Sequence, residues 1–122
     1  MDILKYNREA WNKAVDDGWE WTIPVEPEKV ERARKGDLEV ILTPRKAVPK
    51  RWLPELSGCK VLCLASAGGQ QAPLLAAAGA RVTSFDLSPK QLAQDAFVAE
   101  REGLSLEGDH AKVGAGIFAK TA

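Results

Sequence analysis

The sequence predicts an α/β chain organised around a parallel sheet, and three observations carry that expectation. Lys60-Val-Leu-Cys-Leu-Ala65 is a continuous apolar run that breaks into Ser66-Ala-Gly-Gly69. Arg81-Val-Thr-Ser-Phe85 is a second strand-like run, and it ends at Asp86. A helical segment follows each, the second opened by Ser88-Pro-Lys-Gln91. A continuous rather than alternating apolar run suits a strand covered on both faces, and strand, helix, strand, helix at this spacing is a βαβα unit.

Taken in order, residues 2–17 read as a helix with Leu4, Trp11, Ala14 and Val15 on one stripe and Gly18 as its stop. A second short helix starts at Pro27, a residue suited to a first helical position, and ends before Gly36. Residues 38–42 can be extended. Residues 43–54 hold Pro44, Pro49 and Pro54 with Arg45, Lys46, Lys50 and Arg51, which describes an ordered loop rather than a helix. After the first strand, residues 70–78 form a short helix with Pro73 in its first turn and Gly79 as its stop. Ser88 and Gln91 make a capping box for a helix that runs to Glu102, packs Leu92, Ala93, Ala96, Phe97 and Ala99 inward, and stops at Gly103. The composition shifts near Gly58. Residues 1–57 are expected to form a Trp-rich helical cap with a Pro-rich loop, residues 58–110 a cofactor-binding half, and residues 111–122 a tail with no strand pattern.

Composition narrows the function. The 122 residues are 45% apolar, enough for a real core. Lys+Arg and Asp+Glu both number 17, which disfavours a nucleic-acid partner, since phosphate binding needs a clustered basic excess. No apolar stretch approaches the ~20 residues of a membrane span, and Asp2, Lys5, Arg8 and Glu9 interrupt any signal-peptide pattern, so no membrane partner and a cytoplasmic location are expected. On one strand, Cys59 and Cys63 would lie ~13 Å apart, beyond the ~7 Å that a disulfide allows. With His110 far along the chain they do not make a metal site.

The chemistry concentrates in the turn Ala65, Ser66, Ala67, Gly68, Gly69 and in Asp86. A strand-to-helix turn offers unpaired backbone N–H groups and the positive end of a helix dipole, and small residues let a ligand come close. A carboxylate at the tip of the next strand can accept hydrogen bonds from both hydroxyls of a ribose. Together they point to a nucleoside-containing cofactor, although a structural turn beside a solvated Asp has the same pattern. A dinucleotide turn wants glycine where Ala65, Ala67 and Gln70 stand, so a nicotinamide cofactor is disfavoured.

Val61-Leu-Cys-Leu-Ala-Ser-Ala-Gly-Gly69 resembles the first motif of class I S-adenosylmethionine-dependent methyltransferases, and Val82-Thr-Ser-Phe-Asp-Leu-Ser-Pro89 resembles the motif that follows it. Asn7-Arg-Glu-Ala-Trp11, Gly18-Trp-Glu-Trp-Thr22, Leu42-Thr-Pro-Arg-Lys46 and Gln70-Gln71 look like a bacterial subgroup of that superfamily. The resemblance spans residues 6–104 and corresponds to the N-terminal half of the family fold. It implies a partial Rossmann-like sheet, S-adenosylmethionine as cofactor, and methyl transfer to a small-molecule acceptor. It would place the methionine part of the cofactor on residues 65–69, the ribose on Asp86, and the adenine against Leu87. Gly108-Asp109 resembles the adenine-side Gly-Asp of the family, while an exposed loop carboxylate is the plain alternative for Asp109. Tyr6, Trp11 and Trp21 are lid candidates, since aromatic faces favour a sulfonium cation; for Trp11, helix packing competes.

Three departures stand out: Cys63 replaces the usual acidic residue of the first strand, and Ala65 and Ala67 stand where glycine is usual. A Cβ at Ala67 would cost about 1 kcal/mol if that position needs positive φ. The family's remaining strands have no counterpart, so the chain reads as truncated and no catalytic residue is assigned. The strand at 60–65 is then an open edge, which implies self-association, a homodimer being the simplest form. Two other readings are a nicotinamide-cofactor oxidoreductase fragment and a non-catalytic interaction module.

Overall fold

The structure, a computed structural model, describes residues 1–109. Helix α1 (Ile3–Asp16) is capped by Asp2, whose Oδ1 accepts from the Lys5 N–H at 3.0 Å. Helix α2 (Pro27–Arg34) has proline in its first turn, as its sequence predicts. The extended region falls at β1 (Ile41–Thr43) and pairs antiparallel with β2 (Lys46–Ala47), so a small hairpin interrupts the predicted loop. Strand β3 (Lys60–Leu64), helix α3 (Gln71–Ala77), strand β4 (Arg81–Phe85), helix α4 (Pro89–Glu102) and strand β5 (Leu106–Asp109) complete the order.

Strands β3, β4 and β5 form one parallel sheet in that spatial order. Both crossovers step in the same direction, and right-handed connections then place α3 and α4 on one face. Val61, Val82 and Leu106 stand side by side, as do Cys63 and Ser84, and these rows meet the helices. The arrangement is compatible with a partial Rossmann-like fold. Helix α2 packs on α3 and α1 on α4, so Val25, Val30, Ala33 and Leu38 share one core with Cys63, Leu74, Leu75, Val82 and Val98. No helix among the described residues is long and apolar enough to cross a membrane.

Two expectations about packing change. The run at 60–65 predicts burial on both faces, but Leu62 is 41% and Leu64 50% exposed while Cys63 is buried. The helices cover one face only, and β3 is an edge among the described residues. Helix α4 is rotated relative to its expected stripe. It buries Gln91, Leu92, Asp95, Val98 and Ala99, and leaves Ala93, Ala96 and Phe97 outside. Phe97 instead lies 5.6 Å from the Arg101 guanidinium, a cation–π contact at the surface. Reading Ala and Phe as core residues hid two polar side chains that point inward.

This rotation predicts contrasting variants. Val98, fully buried, should cost about 1–3 kcal/mol when truncated to alanine. Phe97→Ala should cost less than about 1 kcal/mol. Urea midpoints compared at constant m-value check both; equal losses would restore the expected stripe.

Candidate functional site

The turn after β3 begins with Ala65, whose φ of +52° is a left-handed conformation that strains a side chain. Its N–H donates to the Phe85 carbonyl at 2.7 Å, which carries the parallel ladder one residue past the strand. The strained alanine is therefore Ala65. Ala67 is not at positive φ and is buried, so its suspected penalty does not apply.

Gly68 and Gly69, at φ +129° and +78°, do need glycine, and for a second reason. A Cβ on Gly68 would sit 2.8 Å from the Trp21 carbonyl oxygen, and one on Gly69 would sit 2.9 Å from that of Gln94. The bare backbone admits other parts of the chain rather than a ligand. The segment from Trp19 to Val25 is stitched down here. Val25 N–H donates to the Gly69 carbonyl at 2.7 Å, Gln70 Nε2 donates to the carbonyls of Glu20 and Ile23, and Gln94 Nε2 donates to that of Thr22.

Two carboxylates hold the turn. Asp86, 6% exposed, follows β4 and accepts from the Ala67 N–H at 3.2 Å and the Ser88 N–H at 2.9 Å. Each oxygen keeps room for one more donor. Asp95, 0% exposed, accepts from the Gly69 N–H at 2.7 Å through Oδ1. Burial pushes Asp95 up to about 6, against the pull of the Gly69 amide and the nearby Ser84 hydroxyl. Burial likewise raises the Cys63 thiol, which lies beneath the turn. Cys59 and Cys63 are both free thiols.

Above the turn lies a crevice of about 500 Å³. Ala65, Ser66, Ala67, Asp86 and Leu87 line it, with Leu4, Asn7 and Trp11 from α1, Trp21 from the stitched segment, and Gln70, Gln71 and Gln91. The structure thus assembles most of the sequence-predicted set. Gly68 and Gly69 are buried against Trp21 and α4 instead of lining the crevice, and Tyr6 is exposed outside it. Trp11 lines the crevice, and its ring also packs 5.5 Å from that of Trp19. Asp109 ends β5, paired with Phe85, so it belongs to a strand rather than a loop. His110 and residues 111–122 lie outside the described residues.

Sequence reasoning missed Gln91 and Asp95. Their signal is their i,i+4 spacing on the face that α4 shares with Leu92, Val98 and Ala99. It also missed a second cavity, about 480 Å³, on the far side of Trp21, Gln70 and Gln71, reaching to α2 and the start of β1.

The chain is similar to a protein of Bacillus subtilis (strain 168) named uncharacterized methyltransferase YbaJ, with 54% identity over 104 residues. The match covers 85% of this chain and 41% of the relative, so the chain spans well under half of that protein's length. No protein-family model matches the chain.

Two predictions follow from the turn. Ala65→Gly relieves the left-handed strain and should raise stability by up to about 1 kcal/mol after the entropy cost of glycine. Ala67→Gly relieves nothing and should lower it by about 1 kcal/mol. Opposite shifts in thermal midpoint are expected; parallel shifts would return the strain to Ala67. The raised Asp95 sets a pH dependence. Its folded value of about 6 exceeds its ordinary 3.8, so the folded state binds the extra proton. The stability it contributes is complete below pH ~4 and is lost as pH rises through ~6, on the order of 3 kcal/mol. Asp95→Asn should flatten the wild-type slope across this window in urea titrations at successive pH values.

Proposed function

We propose that the chain supplies the cofactor-binding part of a class I S-adenosylmethionine-dependent methyltransferase, with the crevice as the cofactor site. One observation carries this reading. Asp86 is the sole ionisable side chain lining the crevice among the described residues, and the rest of the wall is aromatic, aliphatic, amide or small. A dinucleotide brings two phosphates and needs cationic or glycine-cleared contacts; none lines this space. A nucleoside carrying a sulfonium meets what it needs: a carboxylate with two free acceptor positions for ribose hydroxyls and the faces of Trp11 and Trp21 for a cation.

The residues present fit that group. Ser66 lines the crevice, and its N–H makes no backbone–backbone hydrogen bond among the described residues, so it would be the donor for a ligand carboxylate. Leu87 offers an apolar contact beside Asp86 for an adenine. Bound here, the cofactor would supply an electrophilic methyl group. The chain's own part is to orient it and exclude water, since methyl transfer by in-line displacement depends chiefly on positioning. The methyltransferase name of the Bacillus relative supports the same reading. We take the acceptor to be a small molecule, because the second cavity shares a wall with the crevice and has the size of a small-ligand pocket. Leu62 and Leu64 at the open edge favour self-association. Light scattering reads this directly, and a monomer over the micromolar range would remove that part of the reading.

Calorimetry with S-adenosylhomocysteine and with NAD tests the cofactor. The first should bind more tightly, and the reverse order would end the methyltransferase reading. Asp86→Ala should weaken S-adenosylhomocysteine by about 1–3 kcal/mol. An unchanged affinity would reduce Asp86 to a residue that only braces the turn.

A further inference from the structure

Gln91 has the sequence position of a capping-box partner but not the contact. In such a box its side chain would reach back to the Ser88 N–H. That N–H donates instead to Asp86 Oδ1 at 2.9 Å, and Ser88 Oγ accepts from the Gln91 backbone N–H at 3.2 Å. The Gln91 carboxamide is therefore released from the cap. It is 5% exposed, lines the crevice beside Asp86, and its Oε1 would lie 3.2 Å from a Cβ on Gly68.

Three buried side-chain atoms in this neighbourhood have no hydrogen-bond partner among the described residues: Gln91 Oε1, Asp95 Oδ2 and Ser84 Oγ. Two are acceptors only, and a hydroxyl supplies one hydrogen. The cluster is short of a donor, and buried acceptors left unpaired are costly. Asp95 is one helical turn beyond Gln91 on the same face of α4. A proton on its unpartnered oxygen would supply the missing hydrogen bond to Gln91 Oε1.

We propose that Gln91 is a ligand-contacting residue of the crevice, and that Asp95 is the positioning residue that decides which end of its carboxamide faces the ligand. With Asp95 protonated, Gln91 Oε1 is held inward and its NH2 group is presented to the crevice. With Asp95 ionised, the amide turns, its NH2 group bonds the carboxylate, and the crevice receives an acceptor instead. Ribose hydroxyls that donate to Asp86 keep oxygen lone pairs, so they are better served by the NH2 group. The ligand half of this proposal rests on the cofactor reading above; the Asp95 half does not. The other titratable groups facing Asp95 are Asp86, whose charge raises it, and Cys63, whose thiol is itself held up by burial and so remains neutral through this range.

The test uses the full chain with S-adenosylhomocysteine as the probe. Gln91→Leu should weaken binding about tenfold while leaving the thermal midpoint unchanged or higher, because it removes an unpartnered buried oxygen. A capping role would lower the midpoint and spare the affinity. Wild-type affinity should fall at least threefold between pH 5 and 7.5, and the Asp95→Asn variant, whose amide donates at every pH, should keep the tighter value throughout. In the ligand-free protein the Gln91 side-chain NH2 resonances should titrate with a midpoint near pH 6 and stay flat in Asp95→Asn. Flat wild-type resonances overturn the Asp95 half alone. Unchanged affinity in Gln91→Leu overturns the ligand half, and a wild type that binds no S-adenosylhomocysteine overturns it together with the cofactor reading.

Discussion

The described structure depends on the close passage of two glycines beneath the N-terminal segment. Gly68 and Gly69 bring backbone within about a van der Waals diameter of the Trp21 and Gln94 carbonyls, where any side chain would collide. That approach lets the Val25 N–H reach the Gly69 carbonyl and lets Gln70 and Gln94 hold the backbone between Glu20 and Ile23. Without it, Trp21 would not stand over the turn and the crevice would lose one wall. The same passage places Val25 and Val30 in the core shared with the sheet. A motif usually read as space for a ligand is here, at two of its five positions, space for the protein itself.

The turn is also held electrostatically from two sides. Asp86 takes amides from the ligand side and Asp95 takes one from below. Burial raises the more deeply buried of the two above the usual carboxylate range, and the charge of Asp86 adds a smaller push in the same direction. Asp86 stays near the crevice with acceptor capacity to spare, while Asp95 sits in the core with one oxygen that has no hydrogen-bond partner among the described residues. The division of labour comes from depth of burial, since both residues are aspartates accepting backbone amides. A buried polar cluster left partly satisfied is a weak point for stability.

The edge strand shows the opposite economy. The run from Val61 to Leu64 is apolar at every position, yet only one of its faces is covered within residues 1–109. An exposed edge carrying leucines is what proteins ordinarily avoid. The mismatch between sequence pattern and cover leaves Leu62 and Leu64 as an apolar surface beside this edge.

The sequence alone determined the order of the main helices and of β3 and β4, though not the β1–β2 hairpin, and it brought the turn after β3 together with Asp86. Apolar runs separated by glycine turns, and prolines and capping residues at helix starts, act locally and do not need the rest of the fold. The Ser66 and Asp86 ends of β3 and β4 were legible for the same reason, because strand ends in a βαβ unit must come to one side of the sheet. Tertiary structure decided everything that depends on rotation or depth. Which stripe of α4 faces inward was settled by what α1 and β5 could cover, and that turned Gln91 and Asp95 into interior residues while expelling Phe97. Which alanine carries the strain was settled by the ladder bond from Ala65 to Phe85, a contact 20 residues distant in sequence that no reading of the turn motif contains.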